Sequence, residues 1–245
     1  MGSGQRARGE RLEASVSVRK LNDWDVSPQE AVATQLRLAP LVVRENRVGV
    51  VRRVAGVDVG FVGGVARAAI AVLRYPELDV VDVGLAKRPV SFPYVPGLLS
   101  YREAPAVLAA VEALRVAPDL LLVDGQGIAH PRRLGIASHL GLWLDKPTVG
   151  CAKSLLVGRH GPLGDEVGAT AEVLDRGEVV GLALRTKRST RPVYVSIGHK
   201  VDLPTAAHYA LSCCRGYRLP EPQRQAHLAA SRRWPRAPLG ATSDT

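Results

Sequence analysis

The chain has 245 residues, of which 33 are Lys or Arg and 23 are Asp or Glu, so its formal net charge is +10. Hydrophobic residues make up 46% and charged residues 23%, which is typical of a globular protein and excludes a disordered chain. No apolar run approaches the ~20 residues that span a bilayer, and the start carries no apolar segment of the signal-peptide kind. We therefore expect one folded domain in the cytoplasm, with no membrane partner.

The excess of basic residues favours a polyanionic partner, because a protein that neutralises phosphates releases their counterions. These residues crowd the second half of the chain: Arg132, Arg133, Lys153, Arg185, Lys187, Arg188, Arg191, Lys200, Arg215, Arg218, Arg224, Arg232 and Arg233. Aromatic residues make up only 4%, which argues against a protein that holds single strands by many stacked bases. The three cysteines, Cys151, Cys213 and Cys214, form no CxxC pair, so neither a disulfide framework nor a zinc module is expected.

The first half of the chain predicts a helix followed by a strand meander. Residues 1–20 and 234–245 lack hydrophobic periodicity and are predicted to be disordered, around a single domain at 21–233. Ser27-Pro28-Gln29-Glu30 is a capping box with proline at the first helical position, and it predicts a helix over about 28–44. Val- and Ala-rich runs at 53–59, 64–74 and 78–85 predict three sequential antiparallel strands.

The second half predicts alternating helices and strands. Apolar spacing predicts a helix over 103–116, and Ser100-Tyr-Arg-Glu103 fits a capping box at its start. Further elements are predicted as a buried strand at 120–123, a helix at 133–144, strands at 147–151, 178–184 and 193–197, and a last helix after 222. This order is that of a single-domain α/β fold of the ribonuclease H kind, with a mixed β-sheet flanked by helices.

Two acids, Asp58 and Asp124, lie on different predicted strands. Asp58 lies in an otherwise apolar strand, and a buried carboxylate needs a cation, a partner or a proton. Asp124 ends the apolar run 120–123, so its carboxylate is expected at the carboxyl end of that strand, where α/β sheets place ligands. The alternatives are a bulge aspartate for Asp58 and a turn or N-cap aspartate for Asp124, and Glu103 is equally explained as the capping residue of its helix. Acids from separate strands that meet at one sheet edge would suit divalent-metal phosphoryl chemistry.

Two segments are partly similar to nucleotide-binding motifs. The segment Gly125-Gln-Gly127 lacks the third glycine of a dinucleotide fingerprint at the right spacing, and no matching acid follows it on a second strand. The segment Gly56-Val-Asp58-Val-Gly60 is similar to the phosphate loop of actin-like ATPases and sugar kinases. Those proteins need two such halves, which makes an actin-like ATPase a distant alternative for a chain of 245 residues.

Six segments resemble the endonuclease V family of deoxyinosine-directed nucleases. They are GVDVGF at 56–61, PYVPGLLSYREAP at 93–105, LLLVDGQGIAHPRRLGIASHLG at 120–141, GCAKSLLVG at 150–158, RPVYVSIGHKVDL at 191–203 and GYRLPEPQRQAHLA at 216–229. With their spacers they span most of residues 28–230, and the runs around 93–103 and 124–141 are long and specific. The resemblance leaves out the two chain ends.

The resemblance implies a ribonuclease H-like repair nuclease that uses Mg²⁺, with Mn²⁺ as a substitute. Such an enzyme binds DNA that contains deaminated adenine and cuts the second phosphodiester bond on the 3′ side of the lesion. It further implies that Asp58 and Asp124 bind the metal and that Glu103 lies beside them. His227 completes the catalytic cluster, although the family sometimes carries an acid there, and Lys153 lies near the scissile phosphate.

For substrate binding, the resemblance implies a strand-separating wedge and a pocket for the lesion base. The wedge is the Pro-stiffened loop of Pro93, Tyr94 and Pro96. The pocket candidates are Gly97, Leu99, Gly125 and Gly127, where backbone amides can approach a base edge closely. His130, Arg132 and Arg133 are candidates for orientation and phosphate contacts rather than for catalysis.

The function expected from these residues is cleavage of nucleic acid that contains inosine or deoxyinosine, by a protein taken to be a monomer. One alternative is an inosine-specific endoribonuclease with the same site, because discrimination of the 2′-OH is not legible in the sequence. Another is a non-catalytic nucleic-acid-binding protein, against which the intact Asp58, Glu103 and Asp124 argue.

Overall fold

The computed structural model describes residues 16–231, which form five α-helices, one short 3₁₀ helix and eight strands. In chain order these are α1 (Pro28–Leu38), the 3₁₀ helix (Ala39–Leu41), β1 (Arg53–Val62), β2 (Val65–Arg74), β3 (Val80–Pro89), α2 (Leu99–Glu112), β4 (Leu120–Val123), α3 (Ile136–Leu144), β5 (Thr148–Ala152), β6 (Thr170–Asp175), β7 (Glu178–Leu184), β8 (Val193–His199), α4 (Leu203–Ser212) and α5 (Glu221–Ala230).

The eight strands form one mixed sheet in the order β3-β2-β1-β4-β5-β8-β7-β6. Strands β1, β4 and β5 run parallel to one another at its centre. The meander β1-β2-β3 on one side and the strands β8, β7 and β6 on the other are antiparallel. This arrangement confirms the predicted mixed-sheet α/β fold.

Helices cover both faces of the sheet, which is why the central strand β4 is apolar throughout. In β4, Leu120 and Leu122 belong to the core on the side of α4 and α5, whereas Leu121 and Val123 belong to the core on the side of α2 and α3. Successive side chains of a strand point to opposite faces. A strand buried on both faces therefore reads as a continuous apolar run.

The first helix begins where the sequence predicts and ends earlier. Ser27 and Glu30 form the reciprocal capping box, with the Glu30 amide donating to Ser27 Oγ at 3.3 Å and the Ser27 amide donating to Glu30 Oε2 at 2.8 Å. The helix ends at Leu38 and a 3₁₀ turn follows, so the predicted extension to residue 44 is wrong. The turn contains Pro40, whose ring disfavours a continued α-helix.

The capping box predicted for the second helix is also wrong. Helix α2 begins at Leu99 with Leu98 as its N-cap, and no side chain caps it. Ser100 therefore lies inside the first turn, and its hydroxyl pairs with His139 Nδ1 at 3.1 Å. Glu103 lies within the helix and is buried. Its carboxyl is thus free of capping and available to the neighbouring sheet edge.

Two elements were missed by the sequence analysis, although each carries a local signal. Strand β6 pairs with β7 through a tight turn in which Arg176 and Gly177 both have positive φ, at 54° and 80°. Helix α4 has Asp202 as its N-cap, accepting from the Thr205 amide at 2.9 Å. Both are standard devices for starting a hairpin and a helix.

Residues 16–20, which the sequence places in the disordered extension, pack against the domain. Val16 and Val18 contact the core on the α2 and α3 side, and the Arg19 amide donates to the Trp143 carbonyl at 2.7 Å. The rest of that predicted extension, and the predicted tail at 234–245, lie outside the described residues. Within residues 16–231, no helix has the length and apolar character needed to cross a membrane.

Candidate active site

Asp58 and Asp124 lie side by side at the level where β4 ends. Val57 of β1 and Val123 of β4 are register partners in parallel strands, so the residues that follow them are neighbours. The Asp124 amide donates to the Val57 carbonyl at 3.0 Å, which fixes this alignment. Burial raises the pKa of Asp124, and the nearby Asp58 carboxylate adds to that effect. The sheet register therefore creates an acid pair from residues that are distant in sequence.

Glu103 brings a third carboxyl to this edge from helix α2. It is only 8% exposed. Its pKa rises to about 8, first because it is buried and then because the Asp124 and Asp58 carboxylates repel its charge. Burial also raises the pKa of Asp124, to about 6, against the opposing effect of Lys153. A cation would stabilise the charge of carboxylates held this close together.

Lys153 supplies a positive charge to the acid pair. It follows β5, and its ammonium donates to Asp124 Oδ2. Burial lowers the pKa of Lys153, but the Asp124 carboxylate outweighs that effect and the net pKa is raised. The Arg218 guanidinium donates to the carbonyls of Lys153, at 2.6 Å, and Pro192, at 2.7 Å. Arg218, which the sequence analysis grouped with the basic surface, therefore anchors the backbone that carries Lys153.

His227 reaches the acid pair from helix α5. Its Nδ1 lies 3.0 Å from Asp58 Oδ2, and its side chain is 55% exposed. The helix can approach β1 this closely because residue 56 is glycine: a Cβ at Gly56 would lie 2.0 Å from the Pro222 carbonyl carbon. The close packing of α5 on the strand thus places His227 beside Asp58.

These side chains line a cleft of about 450 Å³, which we call the catalytic cleft. Its lining consists of Asp58, Val59, Gly60, Phe61, Val62, Arg67, Glu103, Asp124, Lys153, His227, Ala230 and Ser231. All five predicted catalytic residues are therefore brought together. Within the described part of the chain, no group of three or more His, Cys, Asp or Glu side chains is arranged so that it could hold a metal ion.

A second cavity, of about 370 Å³, adjoins the catalytic cleft and shares Asp124 and Lys153 with it. We call it the base cavity. Its lining consists of Gln35, Tyr94, Val95, Pro96, Gly97, Leu99, Ser100, Asp124, Gly125, Gln126, His130, Gly135, Ile136, Ala152, Lys153, Ser154, Leu155 and Leu156. Among the predicted substrate-binding residues, Tyr94, Pro96, Gly97, Leu99, Gly125 and His130 lie in this lining, whereas Pro93, Gly127 and Arg132 do not.

The carbonyl oxygen of Gly97 is held by three donors. It accepts from Gln35 Nε2 at 3.0 Å, His130 Nε2 at 2.9 Å and Arg132 Nη2 at 2.8 Å. Arg132 Nε also donates to Gln35 Oε1 at 2.5 Å. Burial lowers the pKa of His130 to about 4, so the ring is neutral at pH 7 and donates from Nε2. The positive φ of Gly97, 79°, is thereby fixed.

This cluster changes the roles of two predicted residues. His130 and Arg132 secure the loop from within the protein, and the Arg132 side chain is committed to Gly97 and Gln35. Gln35, which is 1% exposed, was missed by the sequence analysis. Its only sequence signal was a polar residue on the inner face of α1.

The loop that Gly97 ends carries the most exposed aromatic side chain near the site. Tyr94 is 72% exposed. Arg102 lies beside it, with its guanidinium carbon 5.9 Å from the Tyr94 ring centroid and 5.1 Å from that of Phe61. Arg102 also donates to the Phe92 carbonyl at 3.0 Å. The loop is therefore supported on its inner side while the Tyr94 ring faces outward.

Some of the basic residues bind acidic side chains of the protein itself, and others are exposed. Arg133 forms ion pairs of 2.7 Å with both Asp175 and Glu178, which tie the segment after β4 to the β6-β7 hairpin. It is thus a structural residue. Lys187, Arg188, Arg191 and Arg215 are exposed, while Arg232 and Arg233 lie outside the described residues.

The mixed sheet and the carboxylate pair at the ends of its parallel strands define the class as ribonuclease H-like nucleases. The family model for endonuclease V matches residues 33–228 of the chain. A relative from Gloeobacter violaceus named endonuclease V is 54% identical over 212 residues, covering 84% of this chain and 86% of the relative. The chain therefore belongs to the endonuclease V family, which confirms the predicted family and its enzymatic character.

Solved structures agree with this assignment. The crystal structure of endonuclease V from Streptomyces avermitilis has a TM-score of 0.82 and 42% identity, over 89% of this chain and 97% of that one. Endonuclease V from Ciona intestinalis was crystallised in complex with a 24mer DNA containing an inosine followed by a ribo-adenosine. That chain has a TM-score of 0.72 and 28% identity, over 84% of this chain and 96% of its own length.

Proposed function

We propose that the protein is a divalent-metal-dependent endonuclease acting on DNA that contains deoxyinosine. It cuts the second phosphodiester bond on the 3′ side of the lesion, as a step of DNA repair in the cytoplasm, and acts as a monomer. Mg²⁺ is the proposed metal, with Mn²⁺ as a substitute. The observation that carries this proposal is the shared wall of the catalytic cleft and the base cavity, because Asp124 and Lys153 line both.

The shared wall supports coupling between lesion recognition and cleavage. A base turned out of the duplex and held in the base cavity would leave its own backbone next to the acid pair. The strand would then pass through the catalytic cleft a short distance downstream. This geometry favours a cut at a fixed offset from the lesion. The complex of the Ciona intestinalis enzyme with inosine-containing DNA supports the same class of substrate.

Asp58 and Asp124 are the residues that would hold the metal. Mg²⁺ prefers oxygen ligands and is usually bound by one or two carboxylates together with substrate phosphates, so a pair of carboxylates suffices. The bound cation would polarise the scissile phosphate and lower the pKa of the attacking water. Glu103 has a pKa of about 8 and holds a proton next to this pair at neutral pH.

The other cleft residues manage charge and contact the substrate. Lys153 is a cation paired with Asp124 that can neutralise the charge developing on a phosphate. His227 Nδ1 pairs with Asp58 Oδ2 at 3.0 Å, and the His227 side chain lines the cleft, where it can contact the substrate. We propose both as catalytic groups of this chain, acting on opposite sides of the acid pair.

Tyr94 is proposed as the wedge that enters the duplex beside the lesion. Its exposed ring on a loop stiffened by Pro93 and Pro96 can fill the gap that a departing base leaves. Turning out a base costs less when its pairing is weak. The wedge therefore favours inosine over a normal pair before the base cavity is reached.

The test is cleavage of labelled single- and double-stranded oligonucleotides that carry one deoxyinosine, with Mg²⁺ or with EDTA. We expect a single metal-dependent nick on the 3′ side of the lesion. The matched control is the same oligonucleotide with deoxyadenosine. Tight binding of the deoxyinosine strand without cleavage in Mg²⁺ or in Mn²⁺ would contradict the nuclease proposal and favour a binding protein.

An endoribonuclease with the same site is the second candidate. The observation that favours it is the ribo-adenosine after the inosine in the Ciona intestinalis complex, since that enzyme accommodates a 2′-OH next to the lesion. Inosine-containing RNA of the same sequence, cleaved in parallel, separates the two. A faster nick in RNA than in DNA would replace the proposed substrate.

A further inference from the structure

Gln126 places an unpaired hydrogen-bond acceptor at the wall of the base cavity. The residue lines that cavity and is 8% exposed. Its Nε2 donates to the Ser154 carbonyl at 2.8 Å. A carbonyl only accepts hydrogen bonds, so the amide nitrogen must face Ser154 and Oε1 must face the other way. In residues 16–231, this buried Oε1 has no hydrogen-bond partner.

Two other acceptors in the same wall are already occupied. The Gly97 carbonyl receives three donors, and Gln35 Oε1 receives Arg132 Nε. Buried polar atoms in native proteins are nearly always paired, and the exceptions call for a ligand, a water or a functional role. Gln126 Oε1 is thus an unpaired acceptor on a residue that lines the base cavity.

We propose that Gln126 Oε1 accepts the ring N–H that deamination creates, and so reads the deaminated state of the base. Adenine has a bare N1 that only accepts hydrogen bonds, whereas hypoxanthine carries a hydrogen on N1 and an oxygen on C6. An amide oxygen pairs with the N1–H of hypoxanthine and repels the N1 lone pair of adenine. This assignment rests on the proposed function and names a specificity-determining residue within it.

The chain offers a matched control for removal of a buried glutamine amide. Gln223 is also buried, donates from Nε2 to the Cys151 carbonyl at 2.9 Å, and has an unpaired buried Oε1. It lies in the lining of neither the catalytic cleft nor the base cavity. Gln126→Met and Gln223→Met therefore remove the same group and the same kind of backbone contact. The first does so in the base cavity and the second does so outside it.

The experiment compares binding of two oligonucleotides in EDTA, so that affinity is measured apart from cleavage. One carries deoxyinosine and the other carries purine deoxyriboside, which lacks both the N1–H and the C6 oxygen. The C6 oxygen contributes equally in the wild type and in both variants. A change in the ratio of the affinities for deoxyinosine and purine deoxyriboside therefore reports the contact with the N1–H. We expect Gln126→Met to reduce the wild-type preference for deoxyinosine about tenfold, which corresponds to about 1.4 kcal/mol, and Gln223→Met to leave it unchanged.

An unchanged ratio in Gln126→Met, or an equal fall in both variants, would overturn the assignment. Absence of any wild-type preference for deoxyinosine would overturn it as well. The wild-type protein could also prefer deoxyinosine through Gln126 and yet fail to cleave it in Mg²⁺. That outcome would support the assignment of Gln126 and refute the nuclease proposal. If Gln126→Met fails to fold by thermal unfolding, Gln126→Asn withdraws the same oxygen with a shorter amide, and the same loss of preference is expected.

Discussion

The catalytic cleft and the base cavity share a wall but differ in the chemical groups that line them. The cleft is made of ionisable side chains, with Asp58, Glu103 and Asp124 facing Lys153 and His227. The base cavity is made mainly of backbone and neutral groups, fixed by hydrogen bonds such as those on the Gly97 carbonyl. Charge that can be redistributed suits bond breaking, whereas neutral groups of fixed direction suit the reading of a base.

This difference predicts that changes in the cleft lower the rate and that changes in the cavity lower discrimination. The largest effect is expected for Asp58→Asn and Asp124→Asn. Each removes a proposed metal ligand, and we expect the cleavage rate at saturating substrate to fall by about three orders of magnitude. Single-turnover cleavage of a deoxyinosine oligonucleotide measures this.

Binding provides the complementary measurement for these two variants. Affinity for the uncleaved oligonucleotide in EDTA should change by no more than a few-fold, and Asp79→Asn, at an exposed aspartate, serves as the control of equal charge change. Cleavage that survives in both cleft variants would show that the acid pair is not the metal site.

A smaller loss of rate is expected for Lys153→Ala. The ammonium neutralises charge that develops on the phosphate, and removal of one such group costs about a hundredfold in turnover. The comparison variant is Lys20→Ala, which breaks another Lys–Asp pair, the exposed one between Lys20 and Asp23 at 2.8 Å. Rates at saturating substrate should fall only in the first. An increase in KM alone would assign Lys153 to binding.

In the base cavity we expect Gln35→Leu to weaken selection and to leave the rate intact. The variant removes one of three donors from the Gly97 carbonyl and the partner of Arg132 Nε. A buried hydrogen bond contributes about 1 kcal/mol, so the preference for deoxyinosine over deoxyadenosine should fall roughly fivefold. Gln29→Leu, at an exposed position of the same helix, is the control. An equal change in both variants would contradict a positioning role.

The smallest effect concerns stability and pH. Burial and the neighbouring carboxylates raise the pKa of Glu103 from 4.5 to about 8, so the native protein without metal retains a proton that the unfolded chain releases. Since the native state binds more protons in this window, the free energy of unfolding falls as pH rises from about 4.5 to about 8. We expect the Tm to fall by a few degrees between pH ~6 and ~8. Glu103→Gln should flatten this dependence, and an equally steep fall in that variant would refute it.

The cleft could be predicted from the sequence because its geometry follows from strand order. Asp58 and Asp124 each end or interrupt an apolar run, and parallel neighbours bring such positions to one edge. The capping box at Ser100 and Glu103 failed for the opposite reason. The local spacing was right, but the helix begins one residue before Ser100, where the chain packs against the core through Leu98.

The base cavity could be predicted only in part. Tyr94 and Gly97 lie in one continuous segment. Gln35 comes from helix α1, and its contact with Gly97 joins residues that are 62 positions apart in the sequence. Arg132 and Arg133 are equivalent as sequence signals, yet one holds the loop and the other pairs with Asp175. Only tertiary packing decides between such roles.

The close approach of helix α5 to strand β1 at Gly56 has a consequence for natural variation and for engineering. A methyl group there would collide with the Pro222 backbone and push the helix outward, which would carry His227 away from Asp58. A substitution at a residue with no chemistry of its own would thus mimic the loss of a catalytic histidine. Variants at Gly56 in a screen should be interpreted as active-site variants.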